Sequence, residues 1–185
     1  QMIGRAGRPQ YDTEGVAVIM TQKQNVHRYQ NLAAGSEVVE SQLKDCFAEY
    51  LNAEIALRTI TDISMGVTWL KGTFLYLRVS AWVGLFGLHH TKATSQAEVD
   101  NLLQDKLIMA TVQELAKYGL VQTDEYGFML ESQEPGRIMA HHYIRLPTMV
   151  HITNLHAHAS MPDLIDLVAR SAEFGGIKLR RDQKK

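Results

Sequence analysis

The first long periodic segment of the chain predicts an amphipathic helix. Ser36 is a suitable N-cap, and Glu37 and Glu40 place negative charge in the first turn, where the helix dipole favours it. An apolar residue then recurs every four positions, as Val39, Leu43, Phe47, Leu51 and Ile55. This stripe indicates that one face of the helix is buried.

A second helix is predicted from near Asp62 or Ser64. Its apolar positions at helical spacing are Val67, Leu70, Phe74 and Leu77, with Trp69 and Tyr76 beside them. Residues 82–90 are apolar and glycine-rich but follow neither the helical nor the strand period. They predict a loop that covers another surface.

A third helical stretch is predicted from the capping box Ser95–Glu98 to Tyr118, with Gly119 at its end. At about 100° per residue its early and late apolar residues lie on nearly opposite faces. The two sets are Val99, Leu102 and Leu103, and then Leu107, Ile108, Val112 and Leu115. The pattern predicts either a break near Asp105 or burial on two sides in succession.

A short hairpin is predicted after this stretch, because two apolar runs within residues 120–130 flank the polar tip 124–126. Three helices followed by a hairpin is the order of a winged helix. Two short amphipathic stretches follow, at 137–143 and 149–155. Ser160–Asp163 then predicts the start of a helix, with proline in the first turn and Asp at N3; its apolar residues are Leu164, Leu167 and Val168.

The amino-terminal part has a different pattern. Residues 15–21 form a β-branched apolar run, which is typical of a strand buried on both faces of a parallel sheet. The other strands of that sheet are missing, so we expect this one to be exposed or misfolded in the isolated chain. A short helix over 24–32 follows and ends near Gly35, where we expect a domain boundary.

Composition narrows the function classes. The 185 residues carry 19 Lys and Arg against 20 Asp and Glu, a formal net charge of −1, so any nucleic-acid binding must be local. The single Cys46 cannot form an internal disulfide, and no apolar run approaches the ~20 residues of a membrane span. We therefore expect a soluble intracellular protein with no membrane partner and, since it begins with Gln1, a piece of a longer chain.

Residues 1–10 carry the candidate chemistry. Arg5 and Arg8 are each preceded by glycine and lie three positions apart, so both can project from one side of a helix. A guanidinium suits bidentate contact with phosphate oxygens. The simpler alternative is a basic surface turn with both side chains solvated.

The spacing Q-x-x-G-R-x-G-R over residues 1–8 resembles motif VI of superfamily-two helicases. In such motors this motif lies on the second RecA-like domain and faces ATP bound in the first. The resemblance implies that Arg5 and Arg8 are catalytic arginine fingers, that Gln1 is their polar partner, and that Gly4 and Gly7 permit close approach. ATP and Mg²⁺ would be bound mainly by domains outside this sequence.

The resemblance covers essentially the whole chain. Beyond residues 1–8, the segments that carry it are 9–12, 39–43, 51–55, 59–61, 136–140 and Tyr143. Together they resemble the winged-helix-and-ratchet branch of DExH-box helicases, with 59–62 and 135–143 most similar to its meiotic crossover members. Residues 82–90 depart from the expected turn.

On this resemblance the fold is mainly α with a small β component. Residues 1–34 would be the last strand and helix of the second RecA-like domain, and 36–135 the winged helix. A helical connector would follow over 136–159, and residues 160–185 would begin the ratchet domain.

Two motifs of a complete motor are missing from the sequence. No G-x-x-x-x-G-K-[ST] phosphate loop and no D-E-x-H run occur, so we expect the chain alone to be inactive as an ATPase. The eight histidines show no His-Glu-x-x-His spacing, and no metal site is predicted.

A weaker signal concerns nucleic acid directly. Lys106, Gln113 and Lys117 fall within about 40° on an uninterrupted α-helix, which could present them to a phosphate backbone. The alternative is an ordinary solvent-exposed face.

The predicted function is the joint of a nuclear ATP-dependent DNA helicase, active in meiotic recombination, with 3′ to 5′ polarity implied by the family. Its partners would be single-stranded or duplex DNA and the remaining domains of its own motor. An RNA helicase of the spliceosomal type, or a free-standing winged-helix module for nucleic acid or protein, are the alternatives. The residues by themselves do not determine whether the substrate is DNA or RNA. They also leave open the polarity of unwinding and the oligomeric state.

Overall fold

The computed structural model describes residues 6–8, 10–36, 39–81 and 96–177. The chain divides into two compact units, Gln1–Glu40 and Ser41–Lys185. In the first unit a 3₁₀ turn, Lys23–Asn25, leads into helix α1, Val26–Ala33. Gly35 then adopts φ 65° and ends the helical segment, as its sequence position predicts.

The predicted strand over 15–21 forms no ladder with any described residue. Its apolar side chains are exposed: Val16 is 86%, Val18 81% and Met20 93% accessible. A strand must pair its backbone groups with a neighbouring strand before it can be buried, and the described part of the chain supplies none here. The segment therefore has the sequence of a buried strand without the surroundings of one.

The second unit begins with the first predicted helix, which starts later than its stripe suggests. Residues Leu43–Cys46 form a 3₁₀ turn, and helix α2 runs over Phe47–Ala56. Val39 is outside the helix and 68% exposed, so Ser36 is not the N-cap. The rest of the stripe, from Phe47 to Ile55, is buried as predicted.

The second predicted helix is two helices, α3 over Ile63–Lys71 and α4 over Phe74–Ala81. Asp62 is the N-cap of α3, and its carboxylate accepts a hydrogen bond from the Met65 N–H at 2.9 Å. Between the helices the Thr73 hydroxyl donates to the Leu70 carbonyl at 2.7 Å and accepts from the Tyr76 N–H at 3.3 Å. Thr73 thus ends one helix and begins the next.

This restart changes which residues of α4 are buried. The stripe predicted Phe74 and Leu77 in the core, but they are 48% and 64% exposed. Leu75 and Val79 are buried instead. The prediction is wrong there because a continuous helical period does not hold across the break between α3 and α4.

The third helical stretch contains a change of helix type where the pattern predicted a break. Helix α5 covers Gln96–Leu103, a π-helical segment Gln104–Met109, and helix α6 Ala110–Lys117. Each residue inserted by a π-turn rotates the following helix by about 100°. This rotation offsets much of the mismatch between the two apolar faces, so residues of both α5 and α6 enter one core.

The predicted hairpin is confirmed, with strands β1, Val121–Thr123, and β2, Leu130–Ser132. They pair antiparallel with Val121 opposite Ser132. A further bridge joins Asp62 to Met129, so the start of α3 extends this small sheet on the other side of β2. The Asp124 carboxylate closes the tip by accepting the Phe128 N–H at 2.6 Å.

Three α-helices follow, α7 over Glu134–His142, α8 over Leu146–Thr153 and α9 over Met161–Ala169, and a 3₁₀ turn over Ala172–Gly176 comes after them. The predicted start of α9 is confirmed, and Ser160 and Asp163 form a capping box there. The predicted apolar residues of α9 are not buried, since Leu164 is 42% and Val168 53% exposed. No helix of the described residues is both long and apolar enough to cross a membrane.

One core joins the winged helix to α7 and α8. Helix α2 lies at its centre and packs against α6, α7 and β2. The core side chains that are at most 1% exposed are Leu51, Ile60, Leu70, Ile108, Leu115, Leu120 and Met139.

Candidate nucleotide and nucleic-acid sites

The segment around Arg8 folds into a closed turn. The Arg8 carbonyl accepts the N–H groups of Tyr11 at 2.9 Å and Asp12 at 2.7 Å. In return the Arg8 N–H donates to the Asp12 carboxylate at 2.8 Å. The backbone on either side of Arg8 is therefore fixed while its side chain is exposed.

Two glycines allow the chain to cross itself beside this turn. A Cβ on Gly15 would lie 2.6 Å from the Ala6 carbonyl oxygen, and Gly7 has φ +80° with Gly15 in van der Waals contact. Glycine is needed because a side chain cannot fit at Gly15. The close approach of Gly7 at a nucleotide site stays a prediction.

Arg8 has no side-chain hydrogen bond or ion pair with a described residue, so its five N–H donors are available to a phosphate. The other predicted nucleotide contacts, Gln1, Gly4 and Arg5, lie outside the described residues. The spacing of Arg5 and Arg8 on one helical face is accordingly not tested.

The candidate nucleic-acid face on the third helical stretch is altered by the π-helical segment. Lys106 lies within that segment, so its rotation relative to α6 is not that of a continuous α-helix. Gln113 and Lys117, both on α6, keep their α-helical spacing. Lys117 places its Nζ 5.5 Å from the centre of the Tyr118 ring.

Acidic residues lie next to part of this face. Gln113 borders a groove that is also lined by Asp124 and Glu125 of the hairpin tip. Two carboxylates beside Gln113 oppose a phosphate backbone. The local charge favours the alternative, an ordinary exposed face.

A buried amide links the winged helix to α7. Asn52 is fully buried, and its Nδ2 donates to the Gly136 carbonyl at 2.8 Å. A Cβ on Gly136 would lie 2.2 Å from the Leu120 carbonyl oxygen and 2.8 Å from the Asn52 Oδ1. Glycine at 136 is therefore required by close packing.

Asn52 is not among the candidate residues that motif and spacing single out. The available signal is a polar residue beside the stripe positions Leu51 and Ile55, within the family-like segment 51–55. Its function is visible only once α7 is placed against α2, because its partner is 84 positions away.

Two carboxylates accept hydrogen bonds from the amino end of α8. One comes from near the start of the second unit's sequence and the other from near its end. The Glu49 carboxylate of α2 accepts the Leu146 N–H at 3.0 Å. The Glu173 carboxylate accepts the Arg145 N–H at 2.8 Å and the Thr148 hydroxyl at 2.6 Å. Both place negative charge where the helix dipole favours it.

The environment of Glu173 also sets its ionisation. Burial acts to raise its pKa, but the hydrogen bonds from the Arg145 N–H and the Thr148 hydroxyl outweigh it and hold the pKa below its usual value. Glu173 therefore remains ionised and keeps both contacts at neutral pH.

Among the described residues no group of three or more His, Cys, Asp or Glu side chains could hold a metal ion. His141 and His142 pack edge to face, with ring centres 4.8 Å apart, and both are exposed.

Two family models match the chain in adjacent segments. Residues 40–123 match a winged helix-turn-helix domain, and residues 132–185 match the Sec63 Brl domain. The first match confirms the predicted winged helix. The second begins at the end of β2 and includes α7, α8 and α9.

The whole chain is similar to proteins named as helicases and to a subunit of a cointegrator complex. The chain is 41% identical over 185 residues to the ATP-dependent DNA helicase MER3 homolog of Oryza sativa subsp. japonica and 37% to the probable ATP-dependent DNA helicase HFM1 of Homo sapiens. It is 33% identical over 184 residues to activating signal cointegrator 1 complex subunit 3 of Rattus norvegicus.

All or 99% of this chain is matched, but it spans only 15%, 13% and 8% of those three proteins. The resemblance to the winged-helix-and-ratchet branch is confirmed.

Proposed function

This chain is related over its whole length to one segment of the MER3/HFM1 helicases, and on that premise we propose that it forms the joint of an ATP-dependent DNA helicase. The observation that carries the proposal is the 41% identity, over 185 residues and the whole of this chain, to a protein named as such a helicase. In this proposal the second RecA-like domain ends with residues 1–34, and the winged helix covers 36–135. A helical connector over 136–159 leads to the ratchet domain, which begins with residues 160–185.

Arg5 and Arg8 would act as arginine fingers on ATP, with Gln1 and Gly4 beside them at the nucleotide. A finger stabilises the charge that spreads over the transferring γ-phosphoryl group, so its effect is electrostatic and appears in the transition state. The exposed Arg8 side chain on a closed turn supports this role. The phosphate loop and the Mg²⁺ ligands would lie in other parts of the motor, so these residues alone would not hydrolyse ATP.

The second unit would transmit motion as a rigid body. The Asn52–Gly136 contact ties α2 to α7, and the carboxylates of Glu49 and Glu173 fix α8. Packing of this kind moves helices together instead of bending them one at a time. Closure of the nucleotide cleft would thereby reach the helices that follow the winged helix.

We place this motor in the nucleus, acting on single-stranded or duplex DNA in meiotic recombination with 3′ to 5′ polarity. DNA is preferred over RNA because the relatives with 37–41% identity are named DNA helicases. Lys106 and Lys117 are secondary candidates for contact with the nucleic-acid strand, although the acidic hairpin tip beside Gln113 opposes binding at that face.

The test is ATP turnover by the full-length protein, with single-stranded DNA and with RNA, for wild type, Arg5→Ala and Arg8→Ala. Turnover should fall by about 10³ or more in each variant while a fluorescent ATP analogue still binds, as expected for a group that acts on the transition state. Arg28→Ala, which removes an exposed arginine of α1, is the matched control and should leave turnover unchanged.

Normal turnover in both finger variants would contradict the proposal and favour a winged-helix binding module. Stronger stimulation by RNA than by DNA would select the RNA helicase alternative.

A further inference from the structure

Arg58 occupies a position where the backbone favours glycine. Helix α2 ends in a Schellman motif: the Thr59 N–H donates to the Glu54 carbonyl and the Arg58 N–H to the Ile55 carbonyl, each at 3.0 Å. This geometry puts Arg58 at φ 60°, a left-handed conformation that costs free energy for a residue with a Cβ. The turn itself therefore gives no reason for an arginine.

Arg58 lines a groove of about 520 Å³ between the end of α2, the hairpin and α7. Arg137 of α7 lines the same groove. Its Nη1 donates to the Ser132 carbonyl at 2.7 Å, which fixes the guanidinium, and its remaining N–H groups have no partner among the described residues. Two arginines far apart in sequence thus meet at one concave surface.

Two arginines and two carboxylates line the groove, so its formal charge is balanced and its preference for phosphate rests on the directed guanidinium donors. Asp124 lines it, but the Asp124 Oδ1 already accepts the N–H groups of Phe128 at 2.6 Å and Met129 at 3.1 Å. Glu131 is the other acidic residue of the lining. A further donor is available from Gln122, whose Oε1 is occupied by the Gln133 amide while its own N–H₂ is not.

We propose that this groove binds a backbone phosphate of a nucleic-acid strand, with Arg58 and Arg137 as the contacting groups. Planar guanidinium groups and an amide are the donors that contact phosphate oxygens without reading base sequence. The inference rests on the proposed function, because a strand bound to the motor is the source of the phosphate. It adds a contact on the side of the hairpin where Gln122 and Glu131 are exposed, separate from Lys106 and Lys117.

The test uses Arg58→Gly in the full-length protein, because this change removes the guanidinium and relieves the left-handed backbone. The melting temperature should stay equal or rise. Affinity for single-stranded DNA, measured by fluorescence anisotropy, should fall about 3- to 10-fold, and the slope of log K against log salt should decrease by about 0.7 for one lost phosphate contact. A merely structural role would lower stability and leave the slope unchanged.

Arg58→Lys and Arg28→Ala are the matched controls. The lysine variant keeps the charge but loses the planar fork, so its affinity should lie between wild type and Arg58→Gly. Arg28→Ala removes one positive charge from a helix outside the groove and should change the affinity less than twofold. Arg137→Lys should weaken binding in the same direction as Arg58→Gly.

Unchanged affinity and salt slope in Arg58→Gly would contradict phosphate binding in the groove. The proposed helicase function would still stand, provided that Arg8→Ala still abolishes ATP turnover. Loss of binding to a phosphoserine peptide, with DNA binding unaltered, would also contradict a contact of the groove with a nucleic-acid strand. If wild type neither binds DNA nor hydrolyses ATP, the proposed function itself fails.

Discussion

Two apolar segments of this chain have opposite surroundings. The run at 15–21 leaves Val16 86% and Met20 93% exposed, whereas in α2 Leu51 is 0% and Ile55 2% exposed. Both segments have the composition of a protein interior. Hydrophobicity alone therefore does not decide which of them is buried.

The difference lies in how each backbone satisfies its hydrogen bonds. A helix such as α2 pairs its own N–H and C=O groups and then needs only a surface to cover its apolar face. A strand needs the edge of another strand before its side chains can be covered. The described residues give α2 such a surface in α6 and α7, and give residues 15–21 no sheet.

The largest effect is expected for Leu51→Ala. Truncation of a fully buried leucine leaves a cavity, so the free energy of unfolding should fall by about 2–5 kcal/mol. Urea unfolding of the 185-residue chain, followed by circular dichroism, measures this change. A loss below about 1 kcal/mol would mean that the core around α2 can collapse to fill the space.

A second change tests the contact that holds α7 on α2. Gly136→Ala should cost about 1–3 kcal/mol, because its Cβ would meet the Leu120 carbonyl oxygen at 2.2 Å. Gly35→Ala is the matched control, since Gly35 has positive φ but nothing within 4 Å of its Cβ. Its cost should be backbone strain alone, about 1 kcal/mol. Equal costs in both variants would contradict the close-packing explanation.

A smaller effect is expected at Glu173 and should depend on pH. Because its folded pKa lies below the unfolded value, near 4.5, its ionised contacts stabilise the fold above that pH and are lost as pH falls through the folded pKa. Glu173→Gln should cost about 1 kcal/mol at pH 7. Unfolding curves at pH 7 and pH 3 should show the wild-type advantage shrinking, and an advantage that grows in acid would refute this sign.

The smallest effect is expected for Val18→Ala in the exposed run. With 81% of the side chain accessible, the free energy of unfolding of this chain should change by less than about 0.5 kcal/mol. The same substitution in the full-length protein should cost more if a neighbouring sheet buries the segment. Equal small effects in both contexts would argue against the RecA-like assignment of residues 1–34.

Local signals predicted much of the fold correctly. The hairpin tip at Asp124, the helix end at Gly119 and the capping box of Ser160 and Asp163 are all formed. Each depends on hydrogen bonds or backbone conformations within a few residues, so the necessary information is contiguous in the sequence. Arg8 was likewise singled out by a local pattern, the spacing Q-x-x-G-R-x-G-R over residues 1–8, which is visible in the sequence alone.

The sequence by itself determined the winged-helix order, the family resemblance and the candidate finger segment. The tertiary structure decided that α3 and α4 are separate, that a π-helical segment rotates α6, and that Asn52 meets Gly136 and Arg58 shares a groove with Arg137. These features depend on contacts between residues tens of positions apart. Such contacts arise from the simultaneous packing of several elements, which no single periodic pattern encodes.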